Sequence, residues 1–145
     1  MEKDQGGIKI IHIILLESQF RRVPTVTIDG TQKLEIKIEV GSSNDSSSRR
    51  ILSEVTLNAT SKYNDEIQIE AKIKMAGIFE YENVTEEFLA TFSKINGPSI
   101  IFPFVREHLT SLMQKAGVQP IIINPVNFVE LARRTEEGNV AEQKS

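Results

Sequence analysis

The sequence predicts an α+β fold in which an antiparallel sheet is laid down first and helices pack on one of its faces afterwards. Three observations carry that expectation. Apolar and polar residues alternate at period two through 34–40, 51–60 and 67–73, as they do in strands with one covered and one wet face. The last two of these runs are joined by too short a connection for anything but an antiparallel hairpin. After residue 85 the apolar spacing becomes helical, so the strands come first and the helices last.

The elements follow in order. Gly6-Gly7 opens onto Ile8, Ile10, Ile11, Ile13, Ile14, Leu15 and Leu16, a run rich in β-branched residues and expected to be a long or bent first strand. Pro24 stops it from continuing into a ladder, and a second short extended piece is expected through Val26 and Ile28 before Asp29-Gly30 turns the chain. Leu34, Ile36, Ile38 and Val40 alternate with Glu35, Lys37 and Glu39 and give the clearest strand, its apolar row on the covered face. Residues 41–50 then read as a polar, serine-rich, mobile loop. Ile51 to Thr60 and Ile67 to Ile73 form the hairpin, turned by Tyr63-Asn64-Asp65.

On the helical side, Thr85-Glu86-Glu87 leads into Phe88, Leu89 and Phe92, a short amphipathic helix expected to end at Asn96-Gly97. Pro98 opens a longer helix, Pro103 kinks it, and Val105, Leu109, Leu112 and Met113 stripe it up to Gly117. A third helix is expected after Pro125, capped by Asn127 and carrying Val126, Val129 and Leu131. The 145 residues make one domain, placed at 1–134, with 135–145 as a disordered tail.

Composition excludes several function classes. Seventeen basic and 20 acidic residues are interspersed, for a net charge of -3, so no long basic surface is available to neutralise phosphates and no nucleic-acid partner is expected. Arg21–Arg22, Arg49–Arg50 and Arg133–Arg134 read as solvated surface. Cysteine is absent, which removes disulfides, thiolate nucleophiles and cysteine-based zinc sites. Nothing in the sequence approaches the ~20 apolar residues of a membrane span, and the acidic, polar start does not read as a secretory signal. A cytoplasmic protein without membrane insertion is expected.

Chemistry has no foothold either. His12 and His108 are far apart in sequence and outside any spaced metal motif, and Glu107 points away from its neighbour His108 on a helix. Glu35 with Glu39, and Glu66 with Glu70, sit among lysines and read as a solvated strand face rather than a general acid and base. Ser46 to Ser48 lack an activating partner, and Gly6-Gly7 and Ala76-Gly77 lack the spacing of a phosphate cradle. No enzyme, cofactor or metal site is expected. The apolar surplus of the first strand and of the helices is the more telling feature, because a monomer has nothing to cover it. It points to a symmetric oligomer and to grooves that hold unfolded segments.

The carboxy-terminal half is similar to the SecB family of bacterial export chaperones. The residues that carry the resemblance are Gly77-Ile78-Phe79, then Pro98 through Glu107 (PSIIFPFVRE, with Phe104 where the family has tyrosine), then Val118 through Phe128 (VQPIIINPVNF). The match is continuous over residues 65–134. It implies a four-stranded antiparallel sheet with helices on one side, assembled as a dimer or a dimer of dimers. It also implies an ATP-independent holdase for unfolded or precursor polypeptides that passes them to the motor SecA. The groove candidates are Ile10, Ile13, Phe20, Phe79, Phe102, Phe104, Ile121, Ile122 and Ile123, and the motor-facing sheet candidates are Glu66, Glu70 and Lys72. Lys72 stands where the family carries an acidic residue, and the tail is short and mixed in charge, so the resemblance implies the chaperone more firmly than the delivery. A dedicated module for one partner, including a chaperone associated with an antitoxin, is the alternative on the same fold.

Overall fold

The computed structural model describes residues 6–136 and 141–144. Four long strands, β1 (Gly7–Arg22), β2 (Lys33–Asp45), β3 (Arg50–Tyr63) and β4 (Glu66–Glu82), pair antiparallel. A short β5 (Ala141–Lys144) makes the sheet order β1-β4-β3-β2-β5. The helices α1 (Glu86–Thr91), α2 (Gly97–Lys115) and α3 (Phe128–Glu136) follow β4, so the expected α+β architecture stands.

The alternation read from the sequence is the alternation of burial. Ile36 and Ile38 of β2, Val55 and Leu57 of β3 and Ile73 of β4 are buried under the helices, while Glu35, Lys37 and Glu39 are exposed. Asn64 and Asp65 close the β3–β4 hairpin with φ of 51° and 64°, the pair of left-handed residues that matches the twist of the flanking strands. α2 lies across β3 and β4. Ile101, Val105, Leu109 and Met113 fill the space beneath it, and each is at most 1% exposed. Gly77 is required by this close approach, since a Cβ there would stand 2.8 Å from Phe79 Cε2 and 3.1 Å from Ile101 Cδ1.

Four expectations are corrected. Gly41–Asp45 is not a loop: it stays paired with β3 down to Asp45–Arg50, leaving a turn at 46–49. The Asp45 carboxylate closes that turn by accepting from the Ser47 N–H (3.1 Å) and the Ser47 and Ser48 hydroxyls (2.6 and 2.8 Å), bonds that hold it below the ordinary carboxyl value, Ser47 foremost. Val26 to Ile28 form no strand. Instead the buried Gln68 side chain reaches over and binds Thr27 as a strand would, accepting from its N–H (2.6 Å) and donating to its carbonyl (3.1 Å).

The helix expected to stop at Asn96-Gly97 does not stop. A π-helical turn, Phe92–Asn96, joins α1 to α2, with the Gly97 N–H bonded to the Phe92 carbonyl five residues back. Proline at 98 brings no N–H to the ladder, and the wide turn redistributes the carbonyls left over: the Ser53 hydroxyl reaches the Ser93 carbonyl at 3.3 Å. Gly97 permits this, because a Cβ would sit 2.8 Å from Ser53 Oγ. Finally, the tail expected to be disordered pairs through β5 with Glu35–Ile38, and α3 runs on to Glu136; residues 137–140 and 145 lie outside the described residues. The unsatisfied outer edge of β2 is the template for that pairing. Thr85 and Asn127 cap α1 and α3 through bonds to the Phe88 and Glu130 N–H groups, at 3.0 and 3.1 Å.

Candidate functional site

Two apolar surfaces and one charged face remain exposed. The first surface is a seam between β1 and α2. Two bulges in β1, at Ile10/His12 and Leu15/Glu17, insert Ile11 and Leu16 as extra residues. The row facing the helices therefore runs Ile8, Ile10, Ile13, Leu15, Ser18 and Phe20, opposite the odd-numbered residues of β4. Ser18 Oγ meets His108 Nε2 at 2.8 Å, which fixes the side of α2 that looks toward β1. Phe104 and Ile100 lie four and eight residues before His108, in the same row along the helix. Ile10, Leu15, Ile100 and Phe104 are 47%, 46%, 40% and 49% exposed, an apolar strip along one edge of the molecule.

The second surface lies on the other side of α2. Phe102 turns away from β1 and packs edge-on against Phe128 of α3, ring centroids 5.8 Å apart, with the Arg106 guanidinium 5.7 Å above its own ring. The connection from Val118 to Asn127 carries no helix or strand: Ile123 is 6% exposed and anchors it, whereas Ile122 is 87% exposed. Val129 on α3 adds a second exposed apolar side chain, at 60%.

The open face of the sheet is mixed in charge. Lys74 pairs with Glu54 at 3.0 Å, Lys72 with Glu17 at 3.4 Å, and Glu80 with both Arg50 and Lys9 at 3.5 and 3.6 Å. Glu70 and Lys72 share this face. Glu66 does not, because the irregularity at Ser61/Lys62 makes Gln68 an extra residue and moves Glu66 to the opposite side of β4.

The groove candidates thus divide. Ile10, Phe104 and Ile122 are exposed, and Ile13, Phe20 and Ile121 are half-buried. Phe79, Phe102 and Ile123 are buried at 1%, 4% and 6%; Phe79 stacks edge-on with Phe92 at 4.9 Å, so these three support the surface from behind rather than offering a contact. Two polar residues outside the candidates hold the frame, and one of them, Arg22, is not the solvated surface residue expected. Gln68 fastens the 23–32 connection. Arg22 spans three segments, donating to the carbonyls of Val23 (2.9 Å), Pro24 (3.0 Å) and Ala116 (2.5 Å), the last at the carboxyl end of α2 where a cation is favoured. Only its position at the end of the first strand hinted at this.

The Ser18–His108 pair has the atoms of a nucleophile and a base, yet it lies between a strand and a helix on an open apolar strip. Among the described residues no third group is bonded to the imidazole to orient it, and no group of His, Asp and Glu is arranged to hold a metal. Its role here is to tie α2 to β1. No described helix is long and apolar enough to cross a membrane.

The comparisons agree with this geometry. The family model described as preprotein translocase subunit SecB matches residues 14–138. A protein-export protein SecB from Methylobacillus flagellatus is 38% identical over 77 residues, which is 53% of this chain and 49% of that protein. One from Dechloromonas aromatica is 30% identical over 130 residues, 88% of this chain and 84% of the relative. The chain thus spans about half the length of the first relative and most of the second. Among solved structures, the Mycobacterium tuberculosis Rv1957 SecB-like chaperone, in complex with a ChAD peptide from the Rv1956 HigA1 antitoxin, superposes with a TM-score of 0.70 at 18% identity. That similarity covers 82% of this chain and 90% of that one, and is a likeness of fold.

Proposed function

The chain belongs to the SecB family, and from that membership we propose that it is an ATP-independent holdase that binds unfolded or precursor polypeptides in the cytoplasm. SecB is a family of chaperones, and the chain is not an enzyme. The observation that carries the reading is Ile122, 87% exposed at the centre of the connection between α2 and α3, whose next residue, Ile123, is locked into the core. A monomer gains nothing by exposing an isoleucine on a well-anchored segment, whereas an incoming apolar side chain buried against it gains ~25 cal/mol per Å². Contacts of this kind accept varied sequences, because no fixed hydrogen-bond pattern has to be met.

The β1–α2 seam has a different occupant in this reading: a second copy of the chain, in a dimer or a dimer of dimers. Delivery to SecA would have to use a mixed-charge face. The face that would meet the motor carries Lys72 paired with Glu17 instead of an unbroken acidic surface.

The test mixes the purified protein, without nucleotide, with several unrelated denatured polypeptides during refolding and follows aggregation and complex formation. Broad, reversible capture is expected. Ile122→Asp should weaken it more than about tenfold with fold and assembly intact, since a carboxylate is poorly solvated against a bound apolar side chain. Unchanged capture by a correctly assembled variant removes the segment from the site. Capture of one partner alone would instead favour a dedicated chaperone, a reading encouraged by the structural neighbour, which holds a peptide from an antitoxin.

A further inference from the structure

The two edges of β2 are treated differently. Its inner edge pairs with β3 from Lys33 to Asp45, while among the described residues its outer edge is covered only at Glu35–Ile38, by β5. Edge strands with unmet N–H and C=O groups accept a further strand readily. The strand that has been accepted is a weak one. It is four residues long, and its register sets alanine and glutamine, Ala141 and Gln143, against Ile38 and Ile36. The other two pairs set Lys144 opposite Glu35 and Glu142 opposite Lys37. Beyond Ile38 the outer edge of β2 continues for seven more residues, Glu39 to Asp45, that β5 does not reach.

This edge lies at the end of the sheet away from β1, and both β2 and α3 pack on the π-helical turn. An extended segment lying along β2 can therefore pair its backbone with the edge and lay apolar side chains on the helix side of the sheet, where α3 carries the exposed Val129.

We propose that the outer edge of β2 is a strand-addition site and that β5 is its built-in, displaceable occupant, so that an extended polypeptide with alternating β-branched or aromatic residues enters by replacing residues 141–144. The proposal rests on the polypeptide-binding reading above and adds to it the backbone contact and a competitor carried in the same chain. The tail holds the edge long enough to keep it from pairing with another copy. It yields to a client that runs further along β2 and sets larger side chains beside Ile36 and Ile38.

The experiment uses the full chain with Glu142→Pro and Gln143→Pro. In a strand, one of two consecutive N–H groups points at the neighbour, so the double substitution removes a ladder donor in any register. Amide hydrogen exchange is read at Glu35–Ile38, and affinity is read with a fluorescently labelled, permanently unfolded polypeptide. The outward-facing amides of that stretch should exchange about two- to fivefold faster in the variant, and a synthetic peptide of residues 138–145 added in trans should slow them again. The apparent Kd for the unfolded polypeptide should tighten about two- to fivefold, the factor for unmasking a site that is occupied from half to four-fifths of the time. Unchanged exchange shows that β5 does not guard the edge and overturns the proposal. Faster exchange with an unchanged Kd overturns it too, because the tail then pairs without competing. Failure of both proteins to capture any unfolded polypeptide is a failure of the function proposed above; the exchange and peptide measurements then decide the strand-addition site alone.

Discussion

Phe104→Asp is the sharpest probe of the seam between β1 and α2. Phe104 is 49% exposed, and a phenylalanine side chain carries roughly 150–250 Å², so about 100 Å² of it faces outward. Covering that area contributes ~2.5 kcal/mol at ~25 cal/mol per Å². In a two-fold interface the residue occurs once on each side, and the loss doubles to ~5 kcal/mol before the cost of desolvating two carboxylates is added. With 1.4 kcal/mol per tenfold, the dimer should dissociate with a Kd at least about a thousandfold weaker. The cost of immobilising two bodies is the same for parent and variant and drops out of the comparison. The fold itself should survive, since a change at an exposed position moves stability by roughly 0.5 kcal/mol. Light scattering across a dilution series from micromolar concentration, with circular dichroism in parallel, reads both quantities. The parent should scatter as two or four chains and the variant at half that mass. Identical mass at every dilution would refute the assignment of the seam to a second copy, and a stable monomeric parent would refute the explanation of its apolar surplus.

Other positions test the frame. Gln68→Ala removes the two bonds to Thr27 and leaves a buried gap, so thermal unfolding should come about 5–10 °C earlier, from ~2–3 kcal/mol lost; a shift under about 2 °C would show that Gln68 does not hold the 23–32 connection. Asp65→Gly relieves a non-glycine residue at φ 64° in the hairpin turn and should raise the melting temperature by about 1–3 °C, whereas a fall would mean that the Asp65 side chain contributes more than its backbone costs. Lys72→Glu breaks the pair with Glu17 and makes the open face more acidic. In a titration with SecA at low salt, binding should strengthen about three- to tenfold if that face docks the motor, and an unaltered titration would take this face out of any contact with SecA.

What could be read from the sequence followed the covered face. β2 and β3 alternate cleanly because each contributes one row to the core, and the Ile36, Ile38, Val55 and Leu57 rows needed nothing further to be placed. The isoleucine run of β1 offered no such phase. Its bulges add Ile11 and Leu16, so apolar residues occur on both sides of every count and the helix-facing row, Ile10, Ile13, Leu15, cannot be picked out by period two. The same mechanism misled the grouping of Glu66 with Glu70, one extra residue having turned the strand over between them. Gln68 was invisible because a polar residue in an alternating strand looks solvated, whereas its amide here stands in for a missing strand. The serine-rich stretch after Val40 read as loop because composition does not reveal that Asp45 gathers the donors of its own turn. Of the exposed groove residues, Phe104 and Ile122 came from resemblance; exposure itself depends on how α2 and the Val118–Asn127 segment are set down, and no local pattern encodes that.

The π-helical turn at Phe92–Asn96 has a consequence for how this chain can change in length. An α-helix advances by ~100° per residue, and a turn closed five residues back instead of four introduces one residue of slip between the helices on either side of it. α1 and α2 are therefore held out of phase by a fixed amount. Deleting a single residue from this turn would let the backbone close as an ordinary helix and would leave Leu89 and Phe92 in place. The lost residue and the lost slip would cancel, so α2 would keep nearly the same face toward the sheet, with Phe104 and His108 still beside β1 and Val105 and Leu109 still in the core. The connection at 83–85 can absorb an added or lost residue as a change of slack. Elsewhere between Thr85 and Lys115 there is no such slack, and one residue more or fewer turns the rest of the helix by ~100° and selects a different face.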